Sequence, residues 1–213
     1  MPVPRSRSRS PEIPIASAPR LILATLNRAK GRELLELLGD LPYDVRLLAD
    51  TPGASLPEET GTTYHENALI KARAGMLATG AMALGDDSGI EVDALGGAPG
   101  PRSARYAGED ATDEQNLHQL IRSLKGVPAG GRTARYRCVA VLASPDGGQI
   151  HAEAECEGTL IRAPRGVAGF GYDPIFVPAG WDQTMAELTD DQKDRISHRG
   201  RAFRALAELL EPA

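Results

Sequence analysis

The chain has 213 residues, 41% of them apolar and 25% charged, and a formal net charge of −5. This is the composition of a globular protein with one large domain or two small lobes; the acidic balance argues against a general nucleic-acid-binding surface, and no run approaches the apolar length of a membrane span. The N-terminus has arginines but no apolar signal core, and two cysteines, Cys138 and Cys156, make no disulfide framework, so a cytoplasmic location is expected.

Residues 1–19 are rich in Ser, Pro and Arg and have almost nothing to bury, so a disordered tail is expected there, followed by one domain over 20–213. Arg5, Arg7, Arg9 and Arg20 against Glu12 give the first 20 residues a net +3, which leaves −8 on the rest. Leu21-Ile22-Leu23-Ala24 reads as a strand buried on both faces. Asn27 is an N-cap candidate for a helix with a stripe of Leu34, Leu35, Leu37 and Leu38, and a second strand is expected from Tyr43 to Leu48. Thr51 to Gly61 is a loop holding the acidic pair Glu58-Glu59. Thr63 and Glu66 have capping-box spacing and open a helix to about Ala78.

Ala81 to Leu84 then predicts a strand that stops at a tight Asp86-Asp87-Ser88-Gly89 turn, with a further strand from Ile90. Thr112 and Gln115 form a second capping box, before Leu117, Leu120, Ile121 and Leu124 on one helix face. Alternation from Thr133 to Ala143 and from Ala152 to Glu157 predicts a β-hairpin around Pro145-Asp146-Gly147-Gly148. A loop centred on Gly147 would place Cys138 and Cys156 opposite each other as reduced packing residues. A last helix is expected from Ser197 to about Leu210.

Four segments carry more polar and glycine residues than structure alone requires. Thr25-Leu26-Asn27-Arg28-Ala29-Lys30 ends a strand at a helix N-terminus, where free N–H groups and the dipole attract an anion; Thr25, Asn27 and Lys30 add a hydroxyl, an amide and an ammonium. One carboxylate from Glu58-Glu59 and one from Asp86-Asp87 suit Mg²⁺ shared with phosphate oxygens, although each pair read alone also fits a solvated acidic loop. In Arg165-Gly166-Val167-Ala168-Gly169-Phe170-Gly171-Tyr172-Asp173, Phe170 fits either a ring stacked on a nucleobase or a core anchor for the loop. Lys193 and Ser197-His198-Arg199 put positive groups at a helix start, where the dipole disfavours them unless a ligand or partner compensates. Three of only four lysines, Lys30, Lys71 and Lys193, fall in or beside these segments; 20 arginines supply the other positive charge.

Taken together, the segments resemble the inosine triphosphate pyrophosphatases, also called non-canonical purine NTP pyrophosphatases. The matching stretches are Ala24-Thr25-x-Asn27-x-x-Lys30, Glu59-Thr60-Gly61 with Glu66-Asn67-Ala68 and Lys71-Ala72, Asp86-Asp87-Ser88-Gly89, and Ser103-Ala104-Arg105-Tyr106. They continue in Gly169-Phe170-Gly171-Tyr172-Asp173-Pro174 and Ile196-Ser197-His198-Arg199-Gly200. Leu26 and Ala29 stand where the family often has glycine.

The resemblance implies an α/β fold: an elongated mixed β-sheet with flanking helices, in two lobes around a central nucleotide-binding cleft, as a homodimer. It implies Mg²⁺-dependent hydrolysis of ITP, dITP and XTP to the monophosphate and pyrophosphate, which keeps them out of DNA and RNA. By position, Thr25, Asn27 and Lys30 would hold the triphosphate. Asp87 would be the catalytic base and a metal ligand with Glu59, and Ser88 would contact substrate. Phe170 would stack on the purine, with Gly171, Tyr172, Asp173, Lys193, His198 and Arg199 around it. Pyrophosphatases of modified pyrimidine triphosphates and a nucleotide sensor without turnover are the alternative readings.

Overall fold

A computed structural model describes residues 18–39 and 41–210. The expected disordered tail falls almost wholly on residues 1–17, which lie outside the described residues. The chain builds one six-stranded mixed sheet in the order β2-β1-β3-β4-β5-β6. β1 (Arg20–Leu23) pairs in parallel with β2 (Asp44–Leu47) on one side and with β3 (Met82–Val92) on the other. β4 (Thr133–Ala143), β5 (Gln149–Leu160) and β6 (Phe176–Pro178) continue the sheet antiparallel. The parallel strands require crossovers, and α1 (Arg28–Leu38) and α2 (Tyr64–Thr79) supply them.

Both expected capping boxes are present, Thr63 with Glu66 on α2 and Thr112 with Gln115 on α3 (Asp113–Ser123). One face of the sheet packs on α1 and α5 (His198–Leu210), through Leu21, Leu23, Leu34, Leu84, Phe203 and Leu206. The other face takes α2, whose Ala68 and Ala72 are fully buried. The α2 backbone here lies against Gly85 of β3, and the neighbouring Asn67 and Lys71 reach Asp87 on that strand. A further core under α3 joins Ile90, Val92, Leu120, Tyr136 and Phe176. Among the described residues no helix is long and apolar enough to cross a membrane.

Two sequence expectations are corrected. Asp86-Asp87-Ser88-Gly89 is no turn: β3 runs unbroken through it, and Asp86 to Gly89 pair with Ala140 to Arg137. Turn-forming residue types yield here to a full ladder of hydrogen bonds with β4. The hairpin is centred on Asp146, one residue earlier than expected, so Cys138 faces Ala154 and Cys156 faces Tyr136. Both cysteines are buried and free. In addition, the structure contains β6 and α4 (Asp190–Ile196), two short elements absent from the sequence expectations.

Candidate active site

The strand order reverses between β1 and β3, and clefts in α/β sheets open at such switch points beyond the carboxyl ends of strands. β1 pairs with β3 only as far as Leu84, so Asp86 and Asp87 lie beyond its end. A cleft of about 770 Å³ opens here, walled by Thr25, Asn27, Lys30, Glu59, Lys71, Asp87, Ser88, Phe170, Lys193 and Arg199. Leu26, half exposed, stands in the same wall. A smaller, more enclosed pocket adjoins the cleft and shares Ser88, Phe170, Lys193 and Arg199 with it. Gly171, Tyr172, Asp173, Tyr136 and His198 complete its wall. The structure therefore brings every residue to which the resemblance gives a role to one cleft and its adjoining pocket, whereas Glu58 and Asp86 line neither.

At the start of α1, Asn27 Oδ1 accepts a hydrogen bond from the Lys30 amide at 3.1 Å, and the Asn27 amide donates to Thr25 Oγ1 at 3.2 Å. Asn27 is the expected N-cap. One turn on, Lys30 Nζ lies 2.8 Å from Asp86 Oδ2. Asp86 also lies 3.8 Å from Arg199 Nε. Burial works against the Asp86 charge, but Lys30, Arg199 and Lys71 outweigh it and hold the carboxyl below its usual range. Arg199, itself buried, places Nη1 3.1 Å from Glu33 Oε2 and Nη2 3.5 Å from Ser88 Oγ. The compensation expected for a cation in the first turn of α5 is thus Glu33 and Asp86.

Strand alternation sends Asp87 to the opposite face, toward α2. Its Oδ2 accepts from Asn67 Nδ2 at 3.0 Å, and its Oδ1 lies 3.6 Å from Lys71 Nζ. The same ammonium donates to Glu59 Oε1 at 2.8 Å. Burial raises the Asp87 carboxyl above its usual value; Lys71 opposes the shift and Glu59 adds to it. Burial pulls the pKa of Lys71 down, yet Asp87, Asp86 and Glu59 together keep it above the ordinary lysine value. Among the described residues no cluster of three or more His, Cys, Asp or Glu is placed to hold a metal. Two carboxylates, Glu59 and Asp87, do converge on one positive centre.

In the enclosed pocket Phe170 is 52% exposed, which excludes the core-anchor reading. Lys193 Nζ and Arg199 Cζ each lie 5.3 Å from its ring centroid, within cation–π range. Asp173 holds this loop together: Oδ2 accepts from the Phe170 amide at 3.1 Å and from Lys193 Nζ at 2.6 Å, and Oδ1 accepts from Tyr136 Oη at 3.1 Å. Gly169 has φ +78°, and a Cβ there would collide with Asp173 Oδ2. Tyr172 is buried, and its hydroxyl donates to the Ser103 carbonyl at 2.7 Å. It serves as wall rather than as a free hydrogen-bonding group.

The His198 ring stacks on Tyr136 at 4.7 Å and 8°. Burial, with Arg199 and Lys193 nearby, drives its pKa well below the usual 6.5, so the imidazole is neutral at pH 7. Its Nδ1 is buried with no hydrogen-bond partner among the described residues. Sequence reasoning assigned no role to Asn67, Glu33, Tyr136 or Asp113, whose Oδ2 accepts from the Gly171 amide at 3.1 Å. Lysine scarcity marked Lys71, but Asn67 is the helix residue four positions before it, and Tyr136 reads as ordinary strand core.

The Ham1 family profile matches residues 21–209. A dITP/XTP pyrophosphatase of Desulforamulus reducens is 49% identical over 192 residues, 90% of this chain and 95% of that protein. One of Bacillus subtilis is 46% identical over 190 residues, 89% and 96% of the two chains. The solved HAM1 protein of Coxiella burnetii superimposes with a TM-score of 0.83 at 39% identity, covering 90% of this chain and 98% of that one. From the match over nearly the whole folded chain, at this level of identity, it follows that this chain belongs to the Ham1 family.

Proposed function

We propose that this protein hydrolyses ITP, dITP and XTP to the nucleoside monophosphate and pyrophosphate. The observation that carries the reading is the continuity of two chemically distinct spaces: a cleft with Asp87, Glu59, Lys71 and the α1 N-terminus, and a ring-walled pocket reached past Ser88, Phe170, Lys193 and Arg199. Relatives named dITP/XTP pyrophosphatase, such as those of D. reducens and B. subtilis, support it.

In this reading the triphosphate lies along the cleft, with Thr25, Asn27 and Lys30 at its phosphates. Water attacks the α-phosphorus and gives a proton to Asp87. The bond from α-phosphorus to the bridging oxygen breaks, and pyrophosphate leaves with that oxygen. Asp87 is suited to the task because burial makes it a stronger base than an exposed aspartate. Glu59 and Asp87 would hold a magnesium ion. The Lys71 ammonium, 2.8 Å from Glu59 and 3.6 Å from Asp87, supports this reading, since both carboxylates face one positive group. When bound, the ion neutralises charge on the phosphate oxygens.

The purine stacks on Phe170 in the enclosed pocket. Lys193, His198 and Arg199 face its edge, and a 6-oxo group meets donors that a 6-amino group leaves unpaired. Residues 20–213 are read as one catalytic domain whose separate cores form two lobes about the cleft. A cytoplasmic homodimer completes the reading, and light scattering on purified protein tests the dimer.

The decisive experiment is a panel of nucleoside triphosphates with Mg²⁺ and product identification. IMP or dIMP plus pyrophosphate is the expected result. Release of orthophosphate, turnover of pyrimidine triphosphates alone, or binding with no product overturns it.

A further inference from the structure

Asn67 occupies a position that the chemistry above leaves unexplained. It lies in the first turn of α2 and is fully buried. A buried amide has two donors and an acceptor to satisfy, and it is costly to place unless it holds something. Its Nδ2 donates to Asp87 Oδ2 at 3.0 Å, and its Oδ1 accepts from the Gly61 amide at 2.8 Å. Gly61 lies two residues after Glu59 on the loop that enters α2.

A Cβ at Gly61 would come within 2.6 Å of Asn67 Oδ1, so only glycine lets the loop close this near the amide. The loop is tied a second time, where Arg105 Nη2 donates to the Glu59 carbonyl at 3.0 Å. The other Asp87 oxygen already accepts from the Ser88 amide at 3.0 Å. Asn67 therefore fixes the second oxygen, and with it the rotation of the carboxylate.

We propose that Asn67 is a positioning residue: one buried amide clamps the Asp87 carboxylate to the loop that presents Glu59, setting their mutual geometry. The proposal rests on the roles given to Asp87 and Glu59 above. Outer groups that orient a metal-binding carboxylate in this way typically matter about 10–100-fold.

The test uses the full-length protein and four variants. Asn67→Asp keeps an acceptor for Gly61 but turns the donor facing Asp87 into a second carboxylate. Asn67→Asp with Asp87→Asn restores an amide–carboxylate pair in reverse. Asn67→Ala removes both bonds without adding charge, and it replaces Asn67→Asp in every comparison if that variant does not fold. Asp87→Asn alone is the reference.

For dITP hydrolysis we expect kcat in Asn67→Asp to fall about 10–100-fold, with KM changed less than about threefold, and Asn67→Ala to behave likewise. In the Asp87→Asn background the Asn67 substitution should cost no further activity. Melting temperature should drop by at least about 4 °C in Asn67→Asp and recover in the reversed pair. A folded Asn67 variant with wild-type kcat, a loss confined to KM, or an equal loss on top of Asp87→Asn would overturn the clamp. If Asp87→Asn itself hydrolyses dITP like the wild type, the role of Asp87 falls and the clamp falls with it. A crippled Asp87→Asn beside a fully active Asn67→Asp removes the clamp alone.

Discussion

Asp86 and Asp87 are adjacent in β3, yet their carboxylates emerge on opposite faces of the sheet and are shifted in opposite directions. Asp86 meets Lys30 and Arg199 on the α1 and α5 side. Asp87 meets Asn67, Lys71 and Glu59 on the α2 side, where burial outweighs its single nearby cation. One strand thereby supplies both an ionised anchor and a basic carboxylate.

Asp87→Asn should lower kcat for dITP by about 10²–10⁴-fold, the usual contribution of a general base. Pyrophosphate release under saturating substrate measures this, and near-normal release would remove Asp87 from the role proposed for it.

The same variant should be more stable than the wild type at neutral pH. The folded pKa of Asp87 is raised above its usual 3.8. Its favourable contribution is therefore complete below the unfolded value and is lost as pH rises through the folded one. Chemical denaturation should show the variant ahead at pH 7 and the difference shrinking as pH falls toward 4.

Asp86→Ala should be destabilising by about 3–5 kcal/mol, because it strips a buried partner from Lys30 and leaves Arg199 with Glu33 alone. Here the folded pKa is lowered, so the stabilisation is present above the usual aspartate value of 3.8 and disappears as pH falls through the folded one. The gap between the two proteins in urea titrations should narrow only in strong acid.

For His198 the folded pKa lies well below the unfolded 6.5. The unfolded chain takes up a proton that the folded chain refuses, so stability falls as pH drops below about 6.5. His198→Gln should flatten that dependence between pH 7 and 5, read from denaturation midpoints at each pH.

Phe170→Ala should weaken kcat/KM for dITP by about 5–150-fold, the equivalent of 1–3 kcal/mol of base stacking. Because the ring is half exposed, the melting temperature should stay within about 2 °C of the wild type.

Much of the fold was legible because it is written locally. Thr63 with Glu66 and Thr112 with Gln115 mark their helix starts, since each box satisfies backbone donors within four residues. The strands at 133–143 and 149–160 show in the alternation of side chains. Phe170 between glycines and Lys193 in a lysine-poor chain pointed to the pocket.

The tertiary structure decided what local pattern could not. Asp-Asp-Ser-Gly has turn-forming residues, and only ten consecutive pairings with β4 keep it straight. The convergence of Glu59 and Asp87 on Lys71, and the pairing of Glu33 with Arg199 across 166 positions of sequence, depend on how the strand order reverses around β1. The sequence by itself determined the helices, most strands, the family resemblance and the kinds of group in the cleft. Only the fold decided which face each aspartate addresses, which amide clamps Asp87, and which acids neutralise the buried Arg199. Those relationships depend on burial and on charges brought together by long-range packing, and neither is encoded in the spacing of neighbouring residues.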